Sequence, residues 1–308
     1  MKPPQLKIWL RAAFHAVGGS ALLRQTRVRD ARIVTYHRFP TASSQLVDQH
    51  CAYLQRHYHP LPLTSLVAGL LGERPLPPRA VAVTVDDGYR DVYDVAFPLF
   101  QKHGISATVF LATGFLDREH WLWGDRVRYV LSRSALLTSA QERESAIARF
   151  KQEVKLLADS ERRSLVAALP EQHGVALPGE WPEECAPLTW DQVRAMRRAG
   201  MEFGAHTVTH PILSRLDGKD ALVHEISGSK RRIEQELGQT VDIFCYPNGR
   251  FIDIGDQAMR VVAESGFRAA VTTESGRNRP GIDPLLLRRI SVDASDSPLY
   301  FRERVAEL

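Results

Sequence analysis

The stretch AVAVTVDDG, residues 80–88, joins a run of small and β-branched residues to two adjacent aspartates and a glycine. A short continuous run of this kind is typical of a strand that is buried on both faces of a parallel sheet. Asp86 and Asp87 follow the strand directly, where each carboxylate makes the other harder to ionise. The stretch alone leaves two interpretations open: D-D-G is common turn chemistry, and a bound cation would stabilise such a pair.

Predicted strands and helices alternate along the chain on both sides of this stretch. Further strands are predicted at 32–36, 106–112, 201–205, 242–247 and 268–273, and helices at 45–57, 63–72, 91–103, 189–200, 217–237 and 253–265. Thr189 and Gln192 have the spacing of a capping box at the start of one helix. The alternation indicates an α/β fold with a mostly parallel sheet, open or closed into a barrel. Residues 121–187 interrupt it with a predicted helical insertion.

Polar residues suited to metal binding or acid–base chemistry follow several predicted strands. They are His37, Asp86, Asp87, His206, His210, Tyr246 and Asn248. Parallel α/β folds place their chemistry at the carboxyl ends of the strands, so we expect these side chains to converge at one rim. Two imidazoles and a carboxylate suit Zn²⁺ or another borderline divalent ion. The H-x-x-x-H pair alone is weak evidence, since most such pairs arise by chance.

Positive charge is concentrated at the start of the chain. The net charge is +4, but residues 1–38 contain eight lysines or arginines and one acid, Asp30. This distribution argues against a nucleic-acid surface spread over the fold, and we expect no nucleic-acid partner. Within residues 1–30 an apolar stripe at helical spacing is formed by Leu6, Leu10, Phe14, Val17 and Ala21. This basic segment is predicted to be a helix, either on an anionic membrane surface or, as we favour, packed on the domain.

The expected location follows from the cysteines and from the apolar content. Cys51, Cys185 and Cys245 are widely spaced and odd in number, which indicates reduced thiols. No apolar run is long enough for a transmembrane helix, and the stretch after Arg11 is too short and too rich in arginine for a secretory signal. We therefore expect a cytoplasmic protein, peripheral to the inner membrane if residues 1–30 reach it.

Three motifs, in their order along the chain, resemble the polysaccharide deacetylase family (carbohydrate esterase family 4, the NodB homology domain). They are TVDDG at 84–88, AHTVTH at 205–210 and YPNG at 246–249. RIVTYHRF at 32–39 and WLWGDRVRYVL at 121–131 resemble segments of members from exopolysaccharide gene clusters. The resemblance covers roughly residues 31–292, so we expect residues 31–308 to form one NodB-like domain.

The resemblance implies a distorted (β/α) barrel with a divalent metal, usually Zn²⁺, with Co²⁺ or Ni²⁺ as alternatives. By motif position Asp86 is the general base, and the metal ligands are Asp87, His206 and His210. The implied reaction is removal of an N-acetyl group from an amino sugar of a polysaccharide or its precursor. The alternatives are another amide or O-acetyl ester hydrolase on the same scaffold, or an inactive carbohydrate-binding subunit.

The third motif is expected to help hold the oxyanion of the reaction. The resemblance assigns this role to a backbone N–H at Asn248, with Tyr246 and Pro247 beside it in the pocket. The family normally begins this motif with an arginine that orients the base, but Cys245 stands there. Arg250 or Arg90 would then have to take its place.

A late L-x-H motif normally supplies the catalytic acid of the family. Its counterpart here, LLRRISV at 286–292, has arginine at that point, and arginine stays protonated at neutral pH. We predict that His37 acts as the acid instead, because the first strand of a closed barrel neighbours the last. The alternative is that His37 caps its strand and donates a hydrogen bond to a backbone carbonyl.

Overall fold

The computed structural model describes residues 30–306, so all but the last residue of the predicted basic segment 1–30 lies outside the described residues. Within this range the strands are β1 Arg32–Tyr36, β2 His59–Pro60, β3 Ala80–Val85, β4 Thr108–Leu111, β5 Glu202–Ala205, β6 Ile243–Cys245, β7 Ala269–Ser275 and β8 Leu287–Ser291. In residues 30–306, seven of them run parallel in the order β1, β8, β7, β6, β5, β4, β3, and pairing of β1 with β3 closes a barrel. The fold is therefore the predicted distorted (β/α) barrel.

Helices surround the barrel and follow most of its strands. Their bounds are α1 Ser44–His57, α2 Leu63–Leu70, α3 Phe97–Lys102, α4 Thr113–Leu116, α5 Trp123–Arg133, α6 Ala140–Val154, α7 Asp159–Gln172, α8 Trp190–Arg198, α9 Gly218–Leu237, α10 Phe251–Ile254, α11 Asp256–Glu264 and α12 Pro298–Ala306. The predicted capping box at the start of α8 is confirmed, since the Thr189 side chain accepts a hydrogen bond from the Gln192 N–H. Between residues 30 and 306 no helix combines the length and apolar character needed to cross a bilayer.

Alternation along β3 explains why this strand reads as a continuous apolar run. Ala80 and Ala82 face the inner barrel core, whereas Val81, Val83 and Val85 pack into the outer core beneath the helices. All six residues of β3 are buried, as expected for a parallel strand covered on both faces. The same alternation directs Asp86, the residue after the strand, toward the barrel interior.

The register of β1 against β3 determines which residues meet at the rim. Tyr36 lies opposite Val85, and the Asp86 N–H donates to the Tyr36 carbonyl at 3.0 Å. His37 and Asp86 therefore leave their strands side by side. These two residues are far apart in the sequence, and strand pairing alone brings them together in space.

Residues 123–172 form a small helical unit beside the barrel. Helices α5, α6 and α7 pack around their own small core, which includes Trp123, Val127, Ile147 and Val166. These helices occupy the predicted helical insertion, and α7 continues to Gln172 although Pro170 lies inside it. The predicted helix at 91–103 also differs, since it begins with a π-helical turn, Val92–Ala96, before α3.

Two elements near the end of the chain had no counterpart among the predicted elements. Strand β8 pairs with both β1 and β7, and helix α12 packs on the outside beside α1. The buried His50 of α1 links this region to β1, because its ring stacks on Phe301 at 3.9 Å and bonds both the Tyr36 hydroxyl and the Asp296 carbonyl. β8 was missed because its arginines break the apolar pattern that predicts a buried strand.

Candidate active site

The carboxyl ends of β3 and β5 bring the predicted metal ligands together. The Asp87 Oδ1 lies 3.4 Å from the Nε2 of His206 and 3.4 Å from the Nε2 of His210. The three ligand atoms form one compact cluster, as expected from the motif positions. Asp87 and His206 are buried and His210 is half-buried, so the cluster lies in a recess of the rim.

Hydrogen bonding orients the His206 ring toward the cluster. Its Nδ1 lies 2.7 Å from the carbonyl oxygen of Cys245, which can only accept, so Nδ1 carries the proton. Nε2 is then the nitrogen that faces Asp87 and is available to a metal. A second-sphere carbonyl of this kind is the usual way in which proteins fix the tautomer of a metal-binding histidine.

Protonation in the cluster is coupled to the binding of a cation. Burial would lower the pKa of His206, but Cys245 and the Asp87 carboxylate raise it well above its ordinary value, so a cation would displace a proton from this ring. Burial alone would raise the pKa of Asp87, but the two imidazoles beside its carboxylate, those of His206 and His210, hold that pKa below its ordinary value. Burial lowers the pKa of His210 to about 4, so this imidazole is neutral at physiological pH. An ionised carboxylate and a neutral imidazole are the forms that bind metals.

The residues present fit a divalent metal of the zinc type. The Asp87 Oδ1 is a buried carboxylate oxygen with no hydrogen-bond donor among residues 30–306, and such an atom is costly unless something satisfies it. Ligand atoms about 2.0–2.1 Å from a tetrahedral Zn²⁺ lie about 3.4 Å from one another, which matches the separations of Asp87 from both imidazoles. One carboxylate and two imidazoles would leave coordination positions open.

Backbone strain is concentrated in the loops that carry these ligands. Positive φ angles occur at Asp87 (76°), Thr207 (69°), His210 (56°) and Asn248 (59°), none of which is glycine. Such conformations persist only where the surroundings hold them in place, and they are often found at functional sites. The structure shows what holds the loop between His206 and His210.

Glu225 of α9 anchors that loop. Its buried carboxylate accepts hydrogen bonds from the backbone N–H groups of Val208 at 2.8 Å and Thr209 at 2.9 Å, and from the Thr209 hydroxyl at 2.6 Å. Bonds to a charged acceptor are stronger than neutral ones. Glu225 thus positions His210 without touching the ligand cluster. Its mid-helix position carries no local signal, so sequence reasoning missed it.

Arg289 is the partner of the predicted base. Its guanidinium donates to Asp86 through two parallel bonds, Nη1 to Oδ1 and Nη2 to Oδ2, each 2.7 Å. Both side chains are almost completely buried, with 0% and 2% of their area exposed. Burial alone would raise the pKa of Asp86, but the charge and hydrogen bonds of Arg289 hold that pKa below its ordinary value.

The two substitutes predicted for the missing arginine were wrong. Arg90 pairs with Asp94 and Glu183 instead, and Arg250 is exposed. Arg289 reaches Asp86 from β8, and its Nη2 passes 3.3 Å from the Cys245 sulfur. The small side chain at position 245 leaves room for this approach. The signal in the sequence is the motif LLRRISV, in which Arg289 stands at the position of the missing histidine.

His37 lies at the mouth of the site. Its Nε2 is 3.6 Å from the Asp86 Oδ2, and 46% of its side chain is exposed. In the part of the chain that the structure describes, the ring makes no hydrogen bond to a backbone carbonyl, so the strand-capping alternative gains no support. The position agrees with the expectation that the first and last strands of the barrel are neighbours, since β1 pairs with β8.

The residues of the third motif lie partly in the candidate site and partly in the core. The Asn248 Nδ2 is buried without an acceptor in residues 30–306, and the Asn248 carbonyl accepts from the Thr273 hydroxyl at 2.6 Å. Pro247 is buried beside it. Tyr246, predicted to line the pocket, instead points outward into the core, where its ring meets Phe244 edge to face and is fully buried. Strand alternation explains this, because Cys245 faces inward and its neighbour must face outward.

We expect Glu225→Gln to lower the affinity for Zn²⁺ about tenfold, because the neutral amide holds the His210 loop less firmly. Competition with a chromophoric chelator measures this directly. Glu234→Gln is the matched control, since Glu234 lies on the same helix and also accepts a backbone N–H, from Val241 at 3.0 Å. Equal Zn²⁺ affinity in Glu225→Gln and wild type would contradict the anchoring role.

Known proteins share this fold. The deacetylase PplD of Streptococcus pyogenes, in complex with acetate, superimposes with a TM-score of 0.62 at 21% identity, covering 90% of this chain and 99% of that one. IcaB from Ammonifex degensii gives a TM-score of 0.61 at 19% identity, covering 90% and 97%. At such identities these likenesses concern the fold alone.

Sequence comparison assigns the family. YxkH of Bacillus subtilis (strain 168), a protein named for polysaccharide deacetylation, is 22% identical over 289 residues, which are 92% of this chain and 78% of YxkH. The family model described as polysaccharide deacetylase matches residues 73–270, from the approach to β3 to the start of β7. Since this match spans more than half of the chain and includes Asp86, Asp87, His206 and His210, the chain belongs to the polysaccharide deacetylase family.

Proposed function

We propose that the protein is a metal-dependent hydrolase that removes N-acetyl groups from an amino sugar of a polysaccharide or of its precursor. This proposal rests on two functional groups that lie at the same rim of the barrel. A three-ligand cluster lies beside an ionised carboxylate, Asp86, which is itself 3.6 Å from the exposed imidazole of His37. The structure of the similar S. pyogenes deacetylase contains acetate, which is the product expected when an acetyl group is removed.

Asp87, His206 and His210 would hold the cation. A divalent ion there supplies Lewis acidity, which polarises an acyl carbonyl and lowers the pKa of water. Zn²⁺ is the best match to the donor set, and Co²⁺ or Ni²⁺ would be accommodated by the same ligands.

Asp86 serves as the general base in this proposal. Arg289 keeps its carboxylate ionised and holds both oxygens in a fixed plane, so Asp86 is ready to accept the proton of an attacking water. The backbone N–H of Asn248 would donate to the developing oxyanion from the β6 side. Because this base is buried and already oriented, no free energy is needed to reorient it during the reaction.

His37 serves as the general acid. Protonated, it would donate its proton to the nitrogen of the leaving amine, since its ring lies 3.6 Å from Asp86 at the mouth of the site and is 46% exposed. Arg289 occupies the position where the family's late motif normally has histidine, but it remains charged and is committed to Asp86. In this proposal the acid follows strand β1 and the base-orienting residue lies on strand β8.

Asp86→Asn should reduce amine release from N-acetylglucosamine oligomers by at least about a hundredfold, because the amide cannot accept the proton. The assay uses Zn²⁺- or Co²⁺-loaded enzyme and a fluorogenic amine reagent. Asp220→Asn, an exposed change on α9, is the control and should behave as wild type. Chelation should abolish wild-type activity, and added metal should restore it. Activity that survives both chelation and Asp86→Asn would refute the proposal.

In His37→Asn the alkaline limb of the pH profile of kcat/KM should disappear, and the rate should fall at least about tenfold. A general acid must carry its proton, so wild-type activity should fall as pH rises through the pKa of the acid, and a variant without that acid should not show this fall. His224→Asn, exposed on α9, is the control. If the alkaline limb persists in His37→Asn with a loss smaller than tenfold, His37 is not the acid.

A further inference from the structure

A second cluster of charged side chains lies at the end of the barrel opposite the candidate active site. It lines a cavity of about 360 Å³, which we call the arginine pocket and which is formed by Asp30, Gly276, Arg277, Arg279 and Arg288. Asp30 precedes β1, and Arg288 is near the start of β8, so both lie at the amino ends of parallel strands. The predicted metal ligands follow the carboxyl ends. The pocket and the candidate active site are therefore at opposite ends of the barrel.

Asn278 joins the chain segments that form the pocket. Its backbone N–H and carbonyl each pair with Ala31 at 2.9 Å. Its buried side chain donates to the Arg288 carbonyl and accepts from the Arg288 N–H, both at 2.9 Å. Arg277 and Arg279 flank Asn278 in an extended segment, so their side chains leave on the same side. The backbone that carries the three arginines is thus fixed by hydrogen bonds.

Gly276 lets the Arg288 side chain lie against the wall of the pocket. The φ angle of Gly276 is 146°, and a Cβ at this position would lie 2.9 Å from the Arg288 Cδ. A residue with a side chain would be strained in this conformation and would displace the arginine. The close approach of the two residues therefore depends on glycine.

The pocket carries more positive than negative charge. Asp30 is the one carboxylate among its lining residues, and it accepts hydrogen bonds from the Arg277 Nη1 at 2.7 Å and the Arg279 Nε at 2.5 Å. Arg288 has no carboxylate partner within residues 30–306, and its guanidinium reaches the Ser275 carbonyl only at 3.5 Å. Three guanidiniums and one carboxylate leave an excess of two positive charges among the lining residues.

A phosphate group is the ligand that this arrangement fits. Guanidinium groups bind phosphate oxygens through paired N–H bonds, and three guanidiniums around one cavity can surround a tetrahedral anion. Arg279 is 72% exposed and uses only part of its five N–H donors on Asp30. Both Arg279 and Arg288 therefore keep donors for a ligand.

Further positive charge lies at the same end of the barrel. The register of β1 on β3 pairs Arg32 with Val81, so Arg79 enters β3 at the level of the pocket. Arg79 is exposed and has no carboxylate partner in the described part of the chain. The carboxylates of Glu202 and Asp242 lie at the starts of β5 and β6, across the barrel from β1. The side of this face that includes the pocket is therefore basic.

The sequence that leads into the pocket adds to the same charge. Residues 1–29 contain six lysines or arginines and no acid, and the chain continues from them to Asp30 in the pocket wall. Basic sequence with interspersed apolar residues suits the surface of an anionic bilayer. Free phosphate would use the pocket alone, whereas a bilayer offers many phosphates to the whole basic face. A bilayer at this end also leaves the candidate active site uncovered.

We propose that the arginine pocket binds the phosphate group of an anionic phospholipid, so that the amino end of the barrel docks on a bilayer and the candidate active site faces away from it. This inference goes beyond the proposed reaction and does not depend on it, because the pocket contains none of the residues assigned to the chemistry.

Co-sedimentation of the full-length protein with phosphatidylcholine vesicles, with and without phosphatidylglycerol, tests the proposal. Wild type should bind more tightly to the vesicles that contain phosphatidylglycerol. Arg288→Gln and Arg279→Gln should each weaken this binding about fivefold, as expected for the loss of one arginine at an anionic surface. Inorganic phosphate should compete with the vesicles when chloride is used to keep the ionic strength constant.

Arg118→Gln is the matched control for the loss of one positive charge. Arg118 is exposed, lacks a carboxylate partner among residues 30–306, and follows α4 beyond the carboxyl end of β4. It therefore lies at the opposite end of the barrel, and this variant should bind vesicles as wild type does. Thermal melting of the three variants verifies that each is folded.

Three results would overturn the proposal. The first is equal vesicle binding by wild type and by folded Arg288→Gln and Arg279→Gln. The second is calorimetric binding of inorganic phosphate that Arg288→Gln abolishes without a change in vesicle binding, which would make the pocket a site for free phosphate. The third is tighter binding of a short duplex oligonucleotide than of the vesicles. Failure of the proposed deacetylation would appear separately, as vesicle binding that depends on the pocket without amine release.

Discussion

Arg289 and Asp86 form an ion pair that is buried in the interior of the barrel, and the candidate active site is built around it. A buried pair of this kind gains little net stability, because desolvation offsets most of the attraction, whereas removing one partner costs about 3 to 5 kcal/mol. Its presence is therefore better explained by function than by folding. The pair also requires a closed barrel, since Arg289 comes from β8 and Asp86 from the end of β3, with β1 between them. Barrel closure, orientation of the base and placement of His37 are consequences of the same strand order.

The pair also answers the question raised by two adjacent carboxylates. Asp86 and Asp87 face different partners: one is neutralised by the Arg289 guanidinium, and the other lies between two imidazoles in a cluster that fits a cation. Each aspartate thus remains ionised although the other is its direct neighbour. The two carboxylates contact different groups, which separates their roles. Glu225 performs the corresponding task on the other side of the site, where it holds the strained loop of His210.

Sequence alone was sufficient where function depends on local pattern. Strand β3, the motif residues at the strand ends and the capping box at Thr189 are encoded by short stretches, and the structure contains them as predicted. The orientation of Asp86 was not predictable in this way, because Arg289 lies 203 residues away and becomes its neighbour only when β8 inserts between β1 and β7. The anchoring by Glu225 is likewise a contact between a helix and a distant loop. Tyr246 was misplaced for a local reason, since strand alternation at Cys245 was not applied to the residue that follows.

The central claim is that Arg289 keeps Asp86 ionised so that it can act as the base. The most direct test is the acid limb of kcat/KM for Arg289→Met against wild type, at saturating metal and with the fold verified by circular dichroism. Arg289 lowers the pKa of Asp86 in the folded protein and burial raises it, so in the variant burial should dominate. The account predicts that the acid limb moves to higher pH by at least about one unit, with a smaller shift in Arg289→Lys, which keeps the charge but loses the paired bonds. A folded Arg289→Met enzyme with the acid limb of wild type would contradict it.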